Sequence, residues 1–190
     1  EILAGGASPE GGAVLVTGAT GGVGCLSVGI LSRLGFSVEA LSGKPEAERF
    51  LAPLAPNVGV LPREELFDRP EKPLLKERWQ AAVDTTGGAP LAALLREIGY
   101  GGTVAACGNA AGGDLSTSVY PFILRAVRLQ GIDSARFPSE KRGELWKKLA
   151  STWKPAGLDS IASECSLDGI DEVVRKLLSG SSTGRTVVSP

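Results

Sequence analysis

The feature that most constrains this chain is a glycine-rich turn between an apolar segment and a helix-length segment. Residues 13–17 are almost entirely apolar, and such a run is typical of a strand buried on both faces of a parallel sheet. Residues 22–34 predict a helix. The turn between the two segments reads Thr17-Gly18-Ala19-Thr20-Gly21-Gly22-Val23-Gly24. A strand, a glycine turn and a helix in this order open a βαβ unit.

The same alternation of strands and helices continues along the chain. Further strands are predicted at residues 37–41, 58–61, 81–84, 102–107 and 128–132, and further helices at residues 45–54 and 90–98. This spacing predicts right-handed βαβ units, so we expect an α/β fold with a Rossmann-type doubly wound parallel sheet. Beyond residue 134 the pattern predicts helices at residues 139–153 and 170–178 and a last strand at residues 185–188.

Composition narrows the classes of function. The formal net charge of −1 gives no electrostatic reason to expect nucleic acid as a partner. No apolar run approaches the roughly 20 residues of a membrane span. Histidine is absent, so no imidazole can act as a base or metal ligand; we predict no metal site and name no catalytic residue. The three separated cysteines predict buried free thiols in the cytoplasm or another reducing compartment such as an organelle stroma.

The glycine-rich turn has the residue types that a dinucleotide site requires. Such a turn needs a tight reversal, close approach of the backbone to the pyrophosphate, and a small residue where helix meets strand. Ala19, Gly21 and Gly24 occupy these three places. The N-terminus of the following helix offers unpaired N–H groups and a positive dipole end to phosphate. The alternative is a glycine-rich turn that serves only tight packing.

The end of the second strand predicts which dinucleotide is bound. An NAD enzyme usually carries Asp or Glu there to bind the ribose hydroxyls. The sequence instead has Ser42, Gly43 and Lys44, a set that suits a 2′-phosphate and therefore NADPH. Glu39 lies too early in the strand and is expected at the margin of the sheet. The alternative for Lys44 is a solvated loop lysine. Arg63, after the third strand, either reaches the adenosine end or pairs in solvent with a nearby glutamate.

Several segments together carry a resemblance to a known family. They are the turn at residues 16–24, Leu61-Pro62-Arg63-Glu64-Glu65, Val83-Asp84-Thr85-Thr86-Gly87-Gly88, residues 99–108, residues 119–125, residues 129–134 and Gly184-Arg185-Thr186-Val187-Val188. In this order they resemble the acrylyl-coenzyme A reductase and quinone oxidoreductase-like branch of the medium-chain dehydrogenase/reductase superfamily. The resemblance extends from about residue 11 to residue 188, nearly the whole chain.

The resemblance implies a set of cofactor-binding residues. Residues 20–23 would hold the pyrophosphate, residues 42–44 the 2′-phosphate and Arg63 the adenosine side of NADPH. Segments around Asn109, Ile123 and Ser134 would approach the ribose and nicotinamide, although Asn109 replaces an expected apolar residue. The full predicted set is Ala19, Thr20, Gly21, Gly22, Val23, Gly24, Ser42, Gly43, Lys44, Arg63, Cys107, Gly108, Asn109, Ile123 and Ser134.

Members of this family begin with a barrel-like catalytic domain that forms the other wall of the cleft. This chain starts just before the first predicted strand and lacks an initiator methionine, so we expect a processed or shortened form without that domain. The expected division is a truncated linker at residues 1–12, an NADPH-binding Rossmann domain at residues 13–135, and C-terminal helices and a strand at residues 136–190 that return toward the missing domain. Part of the apolar surface of residues 160–190 would then be exposed.

Two hypotheses for the function follow. In the first, the chain is the NADPH-binding part of an enoyl or quinone reductase that transfers hydride to an activated alkene or quinone, a small-molecule substrate, once a catalytic domain completes it. In the second, the chain is a non-catalytic binding or scaffold subunit that keeps the Rossmann fold, with its exposed C-terminal face docking a protein partner.

Overall fold

The computed structural model describes residues 1–190. A six-stranded sheet has the order β3-β2-β1-β4-β5-β6, and all five strand pairs are parallel. Its strands are β1 (Ala13–Thr17), β2 (Val38–Ser42), β3 (Gly59–Pro62), β4 (Trp79–Asp84), β5 (Ile98–Ala106) and β6 (Arg128–Gly131). This is the order of doubly wound dinucleotide-binding folds, whose ligand crevice lies at the carboxyl ends of β1 and β4, where the order reverses. The predicted fold class is therefore confirmed.

The chain has six α-helices. They are α1 (Gly22–Arg33), α2 (Ala47–Leu51), α3 (Gly88–Leu95), α4 (Tyr120–Arg125), α5 (Ser139–Leu149) and α6 (Ile170–Leu178). Of these, α1 and α2 pack on one face of this sheet and α3 and α4 on the other. Short 3₁₀ helices lie at Pro9–Gly11, Arg63–Leu66, Leu158–Ile161 and Leu167–Gly169. No helix of the chain combines the length and apolar character needed to cross a bilayer.

Strand β1 shows why the sheet has two cores. Val14 and Val16 belong to a cluster with Val28 of α1, whereas Leu15 belongs to a second cluster with Leu94 of α3. Successive side chains of a strand point to opposite faces, so a continuous apolar strand packs against a helix on each side. The apolar run from which the sequence predicted a doubly buried strand is thus explained.

Three predicted helices end earlier than expected. The helix predicted at residues 90–98 ends at Leu95, because Ile98 begins β5 and pairs with Trp79 of β4. The helices predicted at residues 45–54 and 139–153 are Ala47–Leu51 and Ser139–Leu149.

Two elements were not predicted at all. Helix α4 has only six residues, with a proline in its first turn, and is too short to show a periodicity. Strand β7 (Ala162–Ser166) pairs in parallel with β8 (Arg185–Ser189) as a separate two-stranded sheet. Its sequence, Ala-Ser-Glu-Cys-Ser, contains no β-branched or aromatic residue that would indicate a strand.

The C-terminal region exposes much of its surface. Every residue of β8 is exposed, and α6 has no buried residue. Val174, Leu177 and Leu178 of α6 are 43%, 65% and 82% exposed. The sequence predicted exposed apolar surface in residues 160–190, and α6 carries the largest part of it.

Candidate functional site

The glycine-rich turn connects the carboxyl end of β1 to α1. Gly18 has a left-handed backbone with φ of 57°, and a Cβ there would overlap the Thr85 hydroxyl. The Gly21 N–H donates to the Gly18 carbonyl at 2.9 Å, which closes a tight turn with Ala19 and Thr20 at its centre, as the sequence placed it. Ala19 is fully buried and donates its N–H to the Leu41 carbonyl at 3.2 Å. At Gly24 a Cβ would overlap the Gly18 carbonyl oxygen, so this position must be small for α1 to pack on the turn.

The first turn of α1 offers unsatisfied donors to the crevice. Gly21 is the N-cap residue and provides no side-chain cap. The backbone N–H groups of Gly22 and Val23 have no backbone acceptor. Free N–H groups at the N-terminus of a twelve-residue helix attract an anion, because their partial charges and the helix dipole have the same sign.

A C-terminal segment lies across this turn, and we call residues 181–185 the strap. The Gly184 N–H donates to the Thr20 carbonyl at 2.9 Å. The Arg185 guanidinium lies against Gly22, where a Cβ would overlap it. Sequence reasoning did not select Arg185 as a site residue, because nothing local links a residue near the C-terminus to the first glycine turn.

The residues at the end of β2 lie beside the turn. The Thr20 and Ser42 hydroxyls are 3.2 Å apart, and both residues are buried. The Lys44 backbone N–H donates to the Ser42 hydroxyl at 3.2 Å, and the Lys44 ammonium donates to the Ser182 carbonyl of the strap. Burial lowers the pKa of Lys44, and the charge of Glu46 opposes this shift. Lys44 is therefore half-buried, and its ammonium is attached to the strap.

Glu39 and Arg63 have different surroundings. The Glu39 carboxylate accepts hydrogen bonds from the Trp79 indole N–H at 2.8 Å and from Arg78 at 3.4 Å. Arg63 lies beside Gly43, whose added Cβ would be 3.7 Å from the Arg63 Cβ. Arg63 forms no salt bridge within the chain, so the pairing with a nearby glutamate that the sequence left open is not present. Arg63 and residues 42–44 thus share one edge of the site.

A buried hydrogen-bond network holds the ends of β1 and β4 together. Asp84 is fully buried and accepts from the Thr17 hydroxyl at 2.6 Å, the Thr86 hydroxyl at 3.0 Å and the Gly87 N–H at 2.8 Å. The Thr85 hydroxyl donates to the Thr17 carbonyl at 2.8 Å. Sequence reasoning quoted this segment as part of a motif but missed the network, which fixes the floor of the crevice.

The remaining predicted residues follow β5 and β6. The Cys107 N–H donates to the Asp84 carbonyl at 2.8 Å, and a Cβ at Gly108 would overlap the Thr85 carbonyl oxygen. Partial burial of the sulfur and the charge of Asp84 raise the pKa of the Cys107 thiol. Asn109, Ile123 and Ser134 are exposed, and no hydrogen bond joins their side chains to the glycine turn.

The cysteines differ from the prediction of buried thiols. All three are free, but only Cys25 is buried, whereas Cys165 is half-buried and Cys107 is exposed. Burial raises the pKa of the Cys25 thiol, with Arg185 acting in the opposite direction. Cys107 is exposed because it follows the last residue of β5, where the strand leaves the sheet at the crevice.

The reversal of strand order, the glycine turn and the uncapped helix N-terminus define a Rossmann-type dinucleotide-binding domain. The putative quinone oxidoreductase YhfP of Bacillus subtilis is 44% identical over 184 residues, which are 96% of this chain and 56% of YhfP. The probable acrylyl-CoA reductase AcuI of Escherichia coli is 41% identical over 183 residues, again 96% of this chain and 56% of the relative.

Solved structures of YhdH and YhfP also match this chain over nearly its whole length. Escherichia coli YhdH with bound NADPH matches with a TM-score of 0.91 and 40% identity, covering 98% of this chain and 57% of YhdH. YhfP with bound NAD matches with a TM-score of 0.91 and 43% identity over 100% of this chain and 57% of YhfP. No protein-family model matches the chain.

The chain belongs to the acrylyl-CoA reductase and quinone oxidoreductase-like branch of the medium-chain dehydrogenase/reductases. It spans 56% of the length of the curated relatives named above.

Proposed function

We propose that the chain is the NADPH-binding domain of an enoyl or quinone-type reductase. The observation that carries this proposal is the placement of two cationic side chains beside the bare N-terminus of α1. The Arg185 guanidinium lies against Gly22, and the Lys44 ammonium donates to the Ser182 carbonyl of the same strap, while the Lys44 backbone N–H donates to Ser42. A dinucleotide with an extra phosphate presents its anionic groups at these two places.

The pyrophosphate fits the glycine turn. Gly22 presents a bare backbone, and the free N–H groups of Gly22 and Val23 supply hydrogen-bond donors. Arg185 supplies a positive charge and a planar set of donors that matches phosphate oxygens. Gly24 allows α1 to begin close to the end of β1, so the helix dipole acts on the same position. Residues 19–24 and Arg185 would hold the pyrophosphate.

The 2′-phosphate fits residues 42–44 and Arg63. The Ser42 hydroxyl, the Lys44 ammonium and the exposed Arg63 guanidinium are donors at one edge. The carboxylate of Glu39, which could otherwise bind ribose hydroxyls, is already bonded to Trp79 and Arg78. Because the structures of relatives contain NADPH in one case and NAD in the other, the preference for NADPH rests on these side chains.

The nicotinamide end would lie at the carboxyl ends of β4 and β5. Cys107 and Gly108 line this edge beside the Asp84 network, and Asn109, Ile123 and Ser134 are the further candidates on the loops that follow. NADPH, when bound, would supply the hydride for reduction of an activated alkene or a quinone. An acrylyl-CoA-like thioester is one such alkene, as the name of the relative AcuI indicates.

The reaction needs a second wall for the cleft, since the acceptor must be held against the nicotinamide in one geometry. We propose that residues 13–135 are the cofactor domain, that residues 136–190 return toward a catalytic domain, and that residues 1–12 lead from it. The exposed leucines and valine of α6 and the exposed strand β8 are the surface that this domain, or a separate protein partner, would cover. Three free cysteines favour a reducing compartment.

An equilibrium titration of the chain with NADPH and with NADH tests the proposal. We expect NADPH to bind at least roughly tenfold more tightly, a difference of about 1.4 kcal/mol. A variant with Arg185→Ala should weaken both cofactors by a similar factor, because both carry the pyrophosphate. Arg136→Ala, which removes an arginine that is 91% exposed and lies after β6, is the matched control. Absence of binding by either cofactor would overturn the proposal.

A further inference from the structure

The strap contacts two parts of the proposed cofactor site, the glycine turn and Lys44. Its Gly184 N–H donates to the Thr20 carbonyl at 2.9 Å. Its Ser182 carbonyl accepts from the Lys44 ammonium, and its Arg185 guanidinium lies against Gly22. The strap residues lie more than 130 positions after the glycine turn and Lys44 in the sequence. The strap therefore joins the end of the chain to residues that the first two strands position.

The path of the strap is determined by Gly184. Its backbone is left-handed with φ of 61°, and a Cβ there would overlap the Ile161 carbonyl oxygen and lie 3.2 Å from the Phe50 ring. Ile161 is buried in the apolar cluster that contains Val14 and Val28. A side chain at position 184 would thus be strained and would also displace the strap from a fixed support.

The contact with Ser182 orders a flexible side chain. Lysine has four rotatable side-chain bonds and loses much conformational entropy when it binds a phosphate. In this chain the Lys44 backbone N–H is bonded to Ser42 and its ammonium is bonded to Ser182. An ammonium has three donors, so two remain for phosphate oxygens after the Ser182 carbonyl has accepted one.

We propose that the strap is a positioning element for 2′-phosphate specificity: Gly184 sets the Ser182 carbonyl, and this carbonyl fixes the position of the Lys44 ammonium at the edge of the site that follows β2. The inference rests on the proposed NADPH-binding function and deepens it. It assigns to residues 181–184 a role in discrimination between cofactors, whereas the pyrophosphate contact of Arg185 serves both cofactors.

The test compares two small probes that differ only in the 2′-phosphate, namely 2′,5′-ADP and 5′-AMP. Calorimetric titration of the whole chain gives the ratio of their dissociation constants. Gly184→Ala should reduce the preference for 2′,5′-ADP about tenfold, because Lys44 must then be ordered by the phosphate alone. Gly180→Ala is the matched control: its backbone is also left-handed, with φ of 70°, but an added Cβ meets nothing within 4 Å. The ratio should be unchanged in that control.

A double variant tests whether the strap acts through Lys44. In a Lys44→Met background the preference is already reduced, and Gly184→Ala should reduce it no further. An additional loss in the double variant would overturn the inference, and so would a wild-type ratio in the single Gly184→Ala variant. If the wild-type chain binds both probes equally, the proposed preference for NADPH fails. If the preference persists in Gly184→Ala, only the role of the strap fails.

A measurement on the wild-type chain covers the case in which Gly184→Ala does not fold. Hydrogen exchange of the Gly184 amide, which is bonded to Thr20, reports the stability of the strap. Saturating 2′,5′-ADP should slow this exchange at least roughly threefold more than saturating 5′-AMP, because the phosphate bridges to the strap through Lys44. Equal protection by the two probes would overturn the inference.

Discussion

The doubly wound sheet and the C-terminal region are stabilised in different ways. Strands β1 and β2 are largely buried, and α1 and α3 pack on opposite faces of the sheet in two apolar clusters. In contrast, α5, α6 and β8 contain no buried residue. The sheet therefore has its own core, whereas the C-terminal region depends on a few points of attachment.

These attachments include the strap at the proposed cofactor site. Ile161 enters the main core, and Pro155 packs against α1, where a Cβ at Gly29 would be 2.8 Å from it. Gly157 has φ of 63° and lies against Pro53, with 2.6 Å between an added Cβ and the Pro53 carbonyl oxygen. The strap is the last attachment. Because so few contacts hold this region, each of them has a larger influence on its position than a single contact in the sheet.

Matched leucine substitutions give the largest expected contrast between the two regions. Leu94 in α3 is fully buried and Leu177 in α6 is 65% exposed. Leu94→Ala should destabilise the chain by roughly 2–5 kcal/mol through lost burial and a cavity, whereas Leu177→Ala should change stability by no more than about 0.5 kcal/mol. Both substitutions give the same small gain in helix propensity, so the difference between the two variants in urea unfolding isolates the effect of burial.

The contrast between the sheet and the C-terminal region would be wrong if Leu177→Ala reduced the free energy of unfolding as much as Leu94→Ala. In that case α6 would be covered in solution, by a second copy or by another part of the chain, and the unfolding midpoint should then depend on protein concentration. A midpoint that does not change over a hundredfold range of concentration would exclude a second copy.

Matched glycine substitutions should have the next largest effect. Gly24→Ala places a Cβ on the Gly18 carbonyl oxygen and close to the Ala19 backbone, and we expect it to destabilise the chain by about 1–3 kcal/mol. Gly143 lies within α5, and an added Cβ meets nothing within 4 Å. Gly143→Ala should stabilise the chain by about 0.5–1 kcal/mol, because alanine favours the helix.

Thermal unfolding of both glycine variants provides the measurement, and cofactor titration adds a second readout. Gly24→Ala should also weaken NADPH and NADH alike, since it separates α1 from the end of β1. Gly143→Ala should leave both affinities unchanged. A Gly24→Ala variant with wild-type stability would show that the contact between α1 and the turn is not tight.

Much of the sheet could be predicted from the sequence, because local patterns specify it. The apolar run of β1 and the glycines after it predicted the strand, the turn and α1 to within one residue at the end of the helix. The end of β2 predicted Ser42 and Lys44 as neighbours of the turn, and the structure places them there. In each case the signal lies within about 30 residues of the chain.

The rest depends on contacts between distant residues. Asp84 accepts a hydrogen bond from Thr17 over 67 positions, and Lys44 reaches Ser182 over 138. Neither pairing has a periodicity or a spacing that a single sequence reveals. Arg185 was visible only as part of a motif, and its place against Gly22 follows from the fold.

The smallest expected effect concerns a buried carboxylate in the turn that leads into β5. Glu97 is 3% exposed, between α3 and β5. Burial raises its pKa, and Arg69 and Arg78 act in the opposite direction. A carboxyl whose folded-state pKa is raised is neutral in both states at low pH, and its contribution to stability is lost as the pH rises through the folded-state pKa. The wild-type chain should therefore lose stability relative to Glu97→Gln as the pH increases from the acid side of the ordinary glutamate range.

The Tm of the wild type relative to that of Glu97→Gln should fall by on the order of 2 °C. This fall should develop as the pH rises from about 4 to the raised folded-state pKa of Glu97. Glu164→Gln in β7 is the control from the C-terminal region, because its side chain is exposed and no such fall is expected. If the difference between wild type and Glu97→Gln has the opposite sign at neutral pH, the ion pairs with Arg69 and Arg78 outweigh the desolvation of Glu97. The contrast between the regions would then lie in paired charges as well as in apolar burial, since the exposed carboxylate in β7 has no comparable partners.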